Sequence, residues 1–361
     1  MQTPWHSSKQ PRHDAIVAAL HEPAAYADGA ASIDVVETHR AWVFMTKALA
    51  YKLAKAPAHR RHDAASLELR RRSCQRELAL NQRLGGDVYR GVVPVAQLRH
   101  GYRVEAHGPA VEWLIAMRRL PRGAMLDVAI AERQVHVEQV DALADALLTF
   151  YAQGARAPTT GVAYRRRLLD DIEAKRAALA QARYGIDPSG SDRLAALLRA
   201  WVASHAAELE SRAGTIVDAH GDLRPEHVCL EPRPVIIDCL EFDRELRLLD
   251  PASELSFLAL ECRRLGAAWI GSRLLSHFGL RLGPIPSELE RFYEGYHALV
   301  RAAVAIWHLD DRTQRQHARW RARTAQYLRL GLDEAEALAP RRAVEPDLAS
   351  STSEAIQATG E

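Results

Sequence analysis

The strongest constraint on the fold is a change in hydrophobic pattern at Arg118. Before this residue, apolar side chains fall in short runs rich in Val, Trp, Phe and Tyr, which are typical of β-strands. After it, the apolar runs lengthen and recur with a helical period. We therefore predict a first lobe over residues 1–117 and a mostly helical lobe over residues 118–339. The remaining residues, 340–361, contain Pro, Ser and Thr without an apolar period and are predicted to be disordered.

The first lobe is predicted to contain an antiparallel sheet, because brief breaks separate its first three strand-like runs. A long helical pattern follows these runs and ends at Gly85-Gly86. Strands are predicted at 33–37, 41–44, 48–53, 91–98 and 111–117, and helices at 15–20 and 64–84.

The second lobe combines long helices with two short apolar strands. The helices are predicted at 132–152, 163–182, 192–212, 251–265 and 286–338, and the strands at 215–217 and 234–237. The last helical range is too long for one helix and is expected to be broken more than once. Asp250 precedes Pro251 and is predicted to cap the helix that starts there.

The near-equal numbers of basic and acidic residues exclude a strong electrostatic field from the net charge of the chain. The chain carries 48 basic and 46 acidic residues, a formal net charge of +2, so neither nucleic acid nor a membrane surface is predicted as a partner. The N-terminus contains no long apolar segment, which favours a cytoplasmic protein.

The four cysteines show no CxxC pair and no zinc-finger spacing, so neither a disulfide framework nor a structural zinc site is predicted. Cys229 and Cys239 lie in apolar runs and are predicted to be small core residues.

Two carboxylates follow apolar runs in the second lobe. Asp222 occurs in His220-Gly221-Asp222, and Asp238 follows Val235-Ile236-Ile237. Phosphoryl transfer needs one carboxylate to orient the attacking hydroxyl and another acid to hold magnesium against the phosphates. Asp222 and Asp238 suit these two tasks in that order. The alternative is that each Asp only caps a turn after a strand.

The order His220-Gly221-Asp222 and then Ile237-Asp238 resembles the signature of aminoglycoside phosphotransferases and related kinases. More closely, the chain is similar to a bacterial subgroup of phosphotransferase-like domains that is often fused to a C-terminal P-loop ATPase-like domain. Further matching segments are 36–39, 50–52, 77–84, 91–94, 117–120 and 238–242. The resemblance extends from about Arg12 to Leu330.

This resemblance implies an α+β, two-lobed protein-kinase-like fold, with a small antiparallel-sheet lobe that carries one helix and a larger, mostly helical lobe. It also implies a phosphotransferase that moves the γ-phosphoryl group of ATP or GTP to a hydroxyl of a small molecule. The implied cofactors are the nucleotide and Mg²⁺, and the implied partners are the nucleotide and a small-molecule acceptor.

The resemblance assigns roles to individual residues. Lys52 would contact the nucleotide phosphates and Glu77 would pair with it, with Lys55 as the alternative lysine. The backbone of Met117 and Arg118 would bind adenine, although Met117 also fits a plain core position. Lys52 could instead be a surface lysine whose aliphatic chain packs on apolar residues while its ammonium group stays in water.

Asp222 would orient the acceptor hydroxyl and accept its proton, and Asp238 would hold the metal. Glu241 is interpreted as a surface charge rather than as a further acid of the site.

The chain departs from the family pattern at the second metal ligand. His227 stands five residues after Asp222, where the family has Asn. An imidazole suits zinc or manganese better than magnesium. The outcomes left open are a magnesium ion held mainly by Asp238, a different divalent ion such as Mn²⁺ with His227 as a ligand, or no productive metal site.

Two further features concern glycine-rich loops. The turn after the first strand reads Glu37-Thr38-His39-Arg40 and lacks the GxGxxG loop of protein kinases, which favours the small-molecule branch. The chain also contains no GxxxxGK[ST] motif, so a separate P-loop protein is a candidate partner.

The sequence is also compatible with two other functions. The first is a pseudokinase that binds nucleotide without catalysis, suggested by His227. The second is a metal-dependent hydrolase in which Asp222, His227 and Asp238 surround an activated water.

Overall fold

The computed structural model describes residues 13–38, 40–55, 64–231, 233–310 and 316–338. His39 and the predicted disordered tail over 340–361 lie outside these residues.

The first lobe is built on a six-stranded antiparallel sheet with the order β1-β2-β3-β6-β4-β5. Its strands are β1 Asp34–Glu37, β2 Ala41–Met45, β3 Leu49–Ala54, β4 Tyr89–Leu98, β5 Gly101–Val104 and β6 Ala110–Arg118. The predicted meander of the first three strands is confirmed. β5 was not predicted, because its four residues carry too little alternation to be recognised without the β4 strand beside it.

A helix lies on each face of this sheet. Successive residues of a strand point to opposite faces, and Leu114 and Ile115 on β6 accordingly enter different apolar clusters. Leu114 packs with Ile16 of α1, His13–Leu20. Ile115 packs with Cys74 of α2, Ala64–Gly85, and this is the helix predicted from the sequence. Since α2 lies on the face that carries Lys52, it can bring a carboxylate to that lysine.

The second lobe is mostly helical, and the two-lobed α+β kinase-like fold is confirmed. Its helices are α3 Leu126–Ala131, α4 Val137–Gln153, α5 Gly161–Leu179, α6 Ser189–Ser204, α7 Ala206–Ser211, α8 Pro251–Arg264, α9 Ala268–Leu282, α10 Ser287–Trp307 and α11 His317–Ala337. Two large apolar clusters hold these helices together, one around α4, α8 and α9 and one around α5, α6, α10 and α11.

Several predicted helix limits are corrected. The helix predicted from residue 132 begins at Val137, and the pattern over 192–212 is divided at His205, where the backbone leaves the helical region. The range 286–338 is broken, as expected.

Helix α9 was not predicted at all. Its Gly271 weakens the helical signal, yet a Cβ there would lie 2.5 Å from the Cβ of Ala259, so close packing against α8 requires glycine.

Two small strand pairs frame the loops that carry the acidic residues. β7 Val217–Asp218 pairs with β10 Leu248–Leu249, and β8 Val228–Cys229 pairs with β9 Val235–Ile236. The strand predicted at 215–217 therefore begins two residues later, because Thr215 ends a 3-10 turn.

Two further predictions are confirmed. Asp250 caps α8 by accepting a hydrogen bond from the Ala252 N–H at 3.0 Å. Cys229 and Cys239 are buried. Within the described ranges, no helix combines the length and the apolar character needed to cross a bilayer.

Candidate functional site

A half-buried lysine joins the two lobes. Lys52 on β3 places its Nζ 2.7 Å from Glu77 Oε1 on α2 and 2.5 Å from Asp238 Oδ1, which follows β9. Burial alone would lower the pKa of Lys52, but the two carboxylates outweigh it and hold the pKa well above its usual value. Lys55 instead pairs with Glu37 at 2.6 Å. The structure thus brings Lys52, and not Lys55, to the acidic residues.

The backbone at Asp238 adopts an uncommon conformation that neighbouring side chains hold in place. Its φ is +61°, in the left-handed region. The Asp238 N–H donates to Tyr89 Oη at 3.1 Å, and the Cys239 N–H donates to Asn81 Oδ1 at 2.8 Å. Tyr89 Oη in turn donates to the same Asn81 oxygen at 3.0 Å. This pair from the first lobe therefore fixes the direction of the Asp238 carboxylate.

A buried glutamate anchors the loop that carries Asp222. Glu254 on α8 accepts hydrogen bonds from the N–H groups of His220 at 3.0 Å and Gly221 at 2.6 Å, and from Tyr151 Oη at 2.8 Å. Gly221 has a φ of +87°, and a Cβ there would lie 3.0 Å from the Arg247 side chain, so glycine is required at this turn. Sequence reasoning missed Glu254, because an acid in an apolar helix does not reveal its backbone partners.

His220 is a buried, neutral link between the two acidic loops. Its Nε2 donates to the Ile237 carbonyl at 3.0 Å, and its Nδ1 accepts from the Asp222 N–H at 3.3 Å. Burial, followed by the nearby His227 ring, lowers the pKa of His220 to about 4.

His227 lies between the two carboxylates. Its Nδ1 is 2.8 Å from the Asp222 carbonyl oxygen, which can only accept, so Nδ1 donates this hydrogen bond. The Arg224 guanidinium can only donate, so the Nε2 that faces it is the accepting nitrogen. That Nε2 lies 3.5 Å from Asp238 Oδ2 and accepts a hydrogen bond from Arg224 Nη2 at 2.9 Å. One imidazole thus connects both acidic residues.

Two arginines lie at the Asp222 carboxylate. Arg224 Nε donates to Asp222 Oδ1 at 3.0 Å, and Nη1 of Arg301 on α10 lies 4.0 Å from the same oxygen. Burial would raise the pKa of Asp222, but Arg224, His227 and Arg301 together hold the pKa below its usual value. Asp222 is therefore ionised at neutral pH.

Met117 and Arg118 end β6 in the cleft between the two lobes, which Lys52, Asp222 and Asp238 line. Met117 is buried in an apolar cluster with Ala50 and with Ile237, the residue before Asp238. Arg118 pairs with Leu49 on β3 and is half-buried.

The turn between β1 and β2 reaches the second lobe. The Arg40 guanidinium carbon lies 3.7 Å from the centroid of the exposed Phe242 ring. Phe242 follows Asp238 by four residues, so this cation–π contact closes one rim of the cleft.

The chain is similar to known proteins over most of its length. A model described as the phosphotransferase enzyme family matches residues 33–292. The chain belongs to this family. The matched range includes every residue of the site described above except Arg301.

Two curated relatives of this chain are mycobacterial. Uncharacterized proteins of Mycobacterium tuberculosis and Mycobacterium bovis are each 30% identical to it over 285 residues, which cover 75% of this chain and 54% of the relative. The chain therefore spans about half the length of the curated relatives it matches.

Similar solved structures support the fold. A choline/ethanolamine kinase family protein from Mesorhizobium loti has a TM-score of 0.51 at 15% identity, and covers 86% of this chain and 93% of its own. A glucosamine kinase in complex with glucosamine, ADP and inorganic phosphate has a TM-score of 0.50 at 16% identity, with coverages of 90% and 82%. The GDP complex of an aminoglycoside 2'-phosphotransferase-IIIa mutant has a TM-score of 0.50 at 15% identity, with coverages of 85% and 92%.

The donor atoms at the site fit a divalent metal in part. Lys52 occupies Oδ1 of Asp238, and Oδ2 faces the His227 side of the cleft, so Asp238 suits a magnesium ion that takes its other ligands from water and phosphates. The lone pair of His227 Nε2 accepts from Arg224, so His227 is not arranged as a ligand. Among the described residues, no group of three or more His, Cys, Asp or Glu side chains could hold a metal ion together.

Proposed function

We propose that this phosphotransferase moves the γ-phosphoryl group of ATP or GTP to a hydroxyl of a small molecule. The observation that carries the proposal is the placement of the Lys52 ammonium between Glu77 and Asp238, with Asp222 connected to Asp238 through His227. A fixed cation beside one carboxylate and a second carboxylate nearby are what positioning and charge stabilisation in phosphoryl transfer require.

The residues would divide the work as follows. Lys52 binds the nucleotide phosphates and Glu77 keeps its ammonium in place. Asp222, ionised at neutral pH, orients the acceptor hydroxyl and accepts its proton. Asp238 would hold Mg²⁺, which when bound supplies charge stabilisation to the phosphates. The apolar cluster at Met117, with the β6 backbone through Arg118, would receive the base of the nucleotide.

Similar structures support a nucleotide and a hydroxyl acceptor. One contains GDP and another contains ADP with glucosamine and phosphate. The names choline/ethanolamine kinase, glucosamine kinase and aminoglycoside phosphotransferase all denote small-molecule acceptors that carry hydroxyl groups. We extend to this chain only the class, a small molecule with a hydroxyl.

The first test compares wild type with Asp238→Ala and Asp222→Asn. Thermal stability is measured with ATP and with GTP in the presence of Mg²⁺, Mn²⁺ or Zn²⁺. We expect stabilisation by nucleotide and metal in wild type, its loss in Asp238→Ala, and its retention in Asp222→Asn. Nucleotide turnover should be lost in both variants. Retained turnover in Asp222→Asn, or loss of its nucleotide binding, would count against the assigned role.

A second candidate function is a pseudokinase that binds nucleotide without transfer. The contact between Arg224 Nη2 and His227 Nε2 favours it, because a cation occupies the lone pair that a second metal ligand would use. Nucleotide binding that is independent of divalent metal, together with no phosphate release or transfer to any tested hydroxyl compound, would support this reading over the enzyme.

Location and partners are also proposals. Four free, buried thiols suit a reducing cytoplasm. A separate P-loop protein also remains a proposed partner.

A further inference from the structure

Two guanidinium groups lie at the Asp222 carboxylate, and a third is linked to them through shared glutamates. Arg224 follows in the same loop, Arg301 comes from α10, and Arg264 comes from α8. Arg224 and Arg301 keep 22% and 18% of their side-chain surface exposed, and Asp222 keeps 29%. Both arginines next to Asp222 are therefore accessible from the cleft.

Arg301 is held in a fixed pose. Its Nε lies 3.2 Å from Oε1 of the buried Glu261 on α8. Its guanidinium carbon lies 5.8 Å from the Phe257 ring centroid and 5.7 Å from that of Tyr327 on α11. Nη1 of the same guanidinium lies 4.0 Å from Asp222 Oδ1, whereas Nε is buried close to Glu261 without forming a hydrogen bond to it. A guanidinium fixed in this way loses little side-chain entropy when it binds an anion.

The carboxylates around these arginines are shared. Glu261 also accepts from Arg264 Nε at 2.7 Å and from Tyr327 Oη at 2.6 Å. Glu226 lies 3.8 Å from Arg224 Nη1 and 3.5 Å from Arg264 Nη2. Each glutamate thus divides its charge between two arginines.

The charge balance changes when Asp222 takes the proton of an acceptor hydroxyl. The cluster contains the three arginines 224, 264 and 301 and the three carboxylates 222, 226 and 261. Asp222 keeps its negative charge while it accepts a hydrogen bond from the acceptor hydroxyl, and loses this charge when it takes the hydroxyl proton. From that point three guanidinium groups face two charged glutamates. The nearest guanidinium groups would repel an ammonium group close to this hydroxyl, whereas they would attract an oxyanion.

We propose that the acceptor is a hydroxyl compound that carries an oxyanion, a carboxylate or a phosphate, close to the hydroxyl, and that Arg301 with Arg224 binds this oxyanion. This inference rests on the proposed phosphoryl transfer at Asp222. Arg301 is then the residue that selects the class of acceptor. Guanidinium pairs with carboxylate or phosphate through two parallel hydrogen bonds, which gives geometric selectivity as well as affinity.

The test uses four three-carbon probes of similar size: glycerate, glycerol 3-phosphate, neutral glycerol and the cationic 2-amino-1,3-propanediol. Each is titrated by calorimetry into full-length protein saturated with ADP and Mg²⁺, so that the phosphate-binding groups at Lys52 are occupied. We expect one of the two anions to bind about tenfold or more tightly than the neutral and cationic probes, which corresponds to one well-placed charged contact. Comparison of glycerate with glycerol 3-phosphate distinguishes carboxylate from phosphate.

Two variants and a control locate the effect. Arg301→Gln should remove the preference for the anion, and Arg301→Lys should restore part of it if Arg301→Gln remains folded by circular dichroism. The control is Arg273→Gln on α9, whose partner is the surface residue Asp141. In turnover assays, Arg301→Gln should raise the KM for the anionic acceptor while leaving the KM for ATP nearly unchanged.

The possible failures are distinguishable. Equal binding of all four probes, or tighter binding of the cationic probe, would overturn the oxyanion site and leave the kinase proposal standing. Absence of ADP binding, with Arg301-dependent glycerate binding retained in a titration without nucleotide, would overturn the kinase proposal and still support the oxyanion site. An equal KM change for ATP and acceptor in Arg301→Gln would also overturn the assignment.

Discussion

The Nζ of Lys52 lies 2.5 Å from Oδ1 of Asp238, although 186 positions separate the two residues in the chain. One belongs to the third strand of the sheet and the other to a turn of the helical lobe. Their contact couples the charges of the two lobes, so a change in either lobe alters the charges at the proposed nucleotide site.

Replacement of Lys52 by Met should weaken both nucleotide binding and the fold. The buried Glu77 would lose its cation, so we expect unfolding to become easier by about 2 kcal/mol, below the range for fully buried pairs because Asp238 is partly exposed. ATP affinity should fall as well. Lys55→Met is the matched control, since Lys55 pairs with the exposed Glu37. Equal losses in both variants, measured by urea unfolding and calorimetry, would contradict the assignment of Lys52.

Tyr89→Phe should damage the Asp238 turn while leaving the sheet intact. The variant removes one hydroxyl that accepts from the Asp238 N–H and donates to Asn81. A loss of about 1–2 kcal/mol is expected, with reduced nucleotide turnover. Tyr102→Phe on the edge strand β5 serves as control. Unchanged turnover in Tyr89→Phe would show that Asp238 keeps its direction without this hydroxyl.

Glu254→Gln should lower turnover more than nucleotide affinity. The amide would place an NH₂ group where the carboxylate accepts from the backbone of His220 and Gly221 or from Tyr151, and leaving one of these donors unpaired should cost about 2 kcal/mol. Tyr151→Phe retains both backbone contacts and should cost less. A nucleotide Kd that changes as much as turnover would instead indicate a general loss of folding.

Stability should fall as pH decreases from about 6.5 to 4, and His297 should contribute to that loss. Burial lowers the pKa of His297 to about 4 in the folded protein from 6.5. The unfolded chain therefore binds the extra proton in this window, so the stabilisation present above pH 6.5 is lost toward pH 4, on the order of 3 kcal/mol.

His297→Asn should flatten this part of the pH profile, since Asn can still hydrogen-bond near Ser253 but does not titrate. The exposed His100→Asn is the control. Chemical unfolding at a series of pH values measures the effect. Parallel profiles for wild type and His297→Asn would contradict the expectation.

His227→Asn should shift the metal preference toward magnesium. The substitution introduces the amide of the family pattern beside Asp238 and removes the acceptor of the Arg224 hydrogen bond. We expect the ratio of turnover with Mn²⁺ to turnover with Mg²⁺ to fall about tenfold, within the range for changes around metal sites. His107→Asn, an exposed position, is the control. An unchanged ratio would mean that position 227 does not influence the metal.

The sequence was most informative where residue type and order carry the chemistry. Asp222 and Asp238 were located by their motifs and the sheet meander by its short strand-like runs, because these signals are local. Lys52 and Glu77 were assigned through the family resemblance. Their assigned roles remain predictions that the experiments above test.

The rest depends on contacts between distant segments. Tyr89 and Glu254 act through backbone groups more than 30 positions away, and Arg301 reaches Asp222 from a helix 79 residues later. Helix α9 was missed for a related reason. Glycine at position 271 has a low helix propensity, and it is required there by close packing against Ala259, which the sequence does not reveal.

Residues of both lobes form hydrogen bonds to the turn at Asp238. Tyr89 and Asn81 hold it from the sheet side, and on the other side His220 donates to the Ile237 carbonyl and accepts from the Leu240 N–H at 3.0 Å. A point fastened to two bodies acts as a pivot. Opening of the cleft should therefore be smallest at Asp238 and largest at the rim where Arg40 covers Phe242. In the proposed phosphotransferase, nucleotide would then exchange past that rim while the acidic groups stay assembled, so that product release would not require these groups to separate.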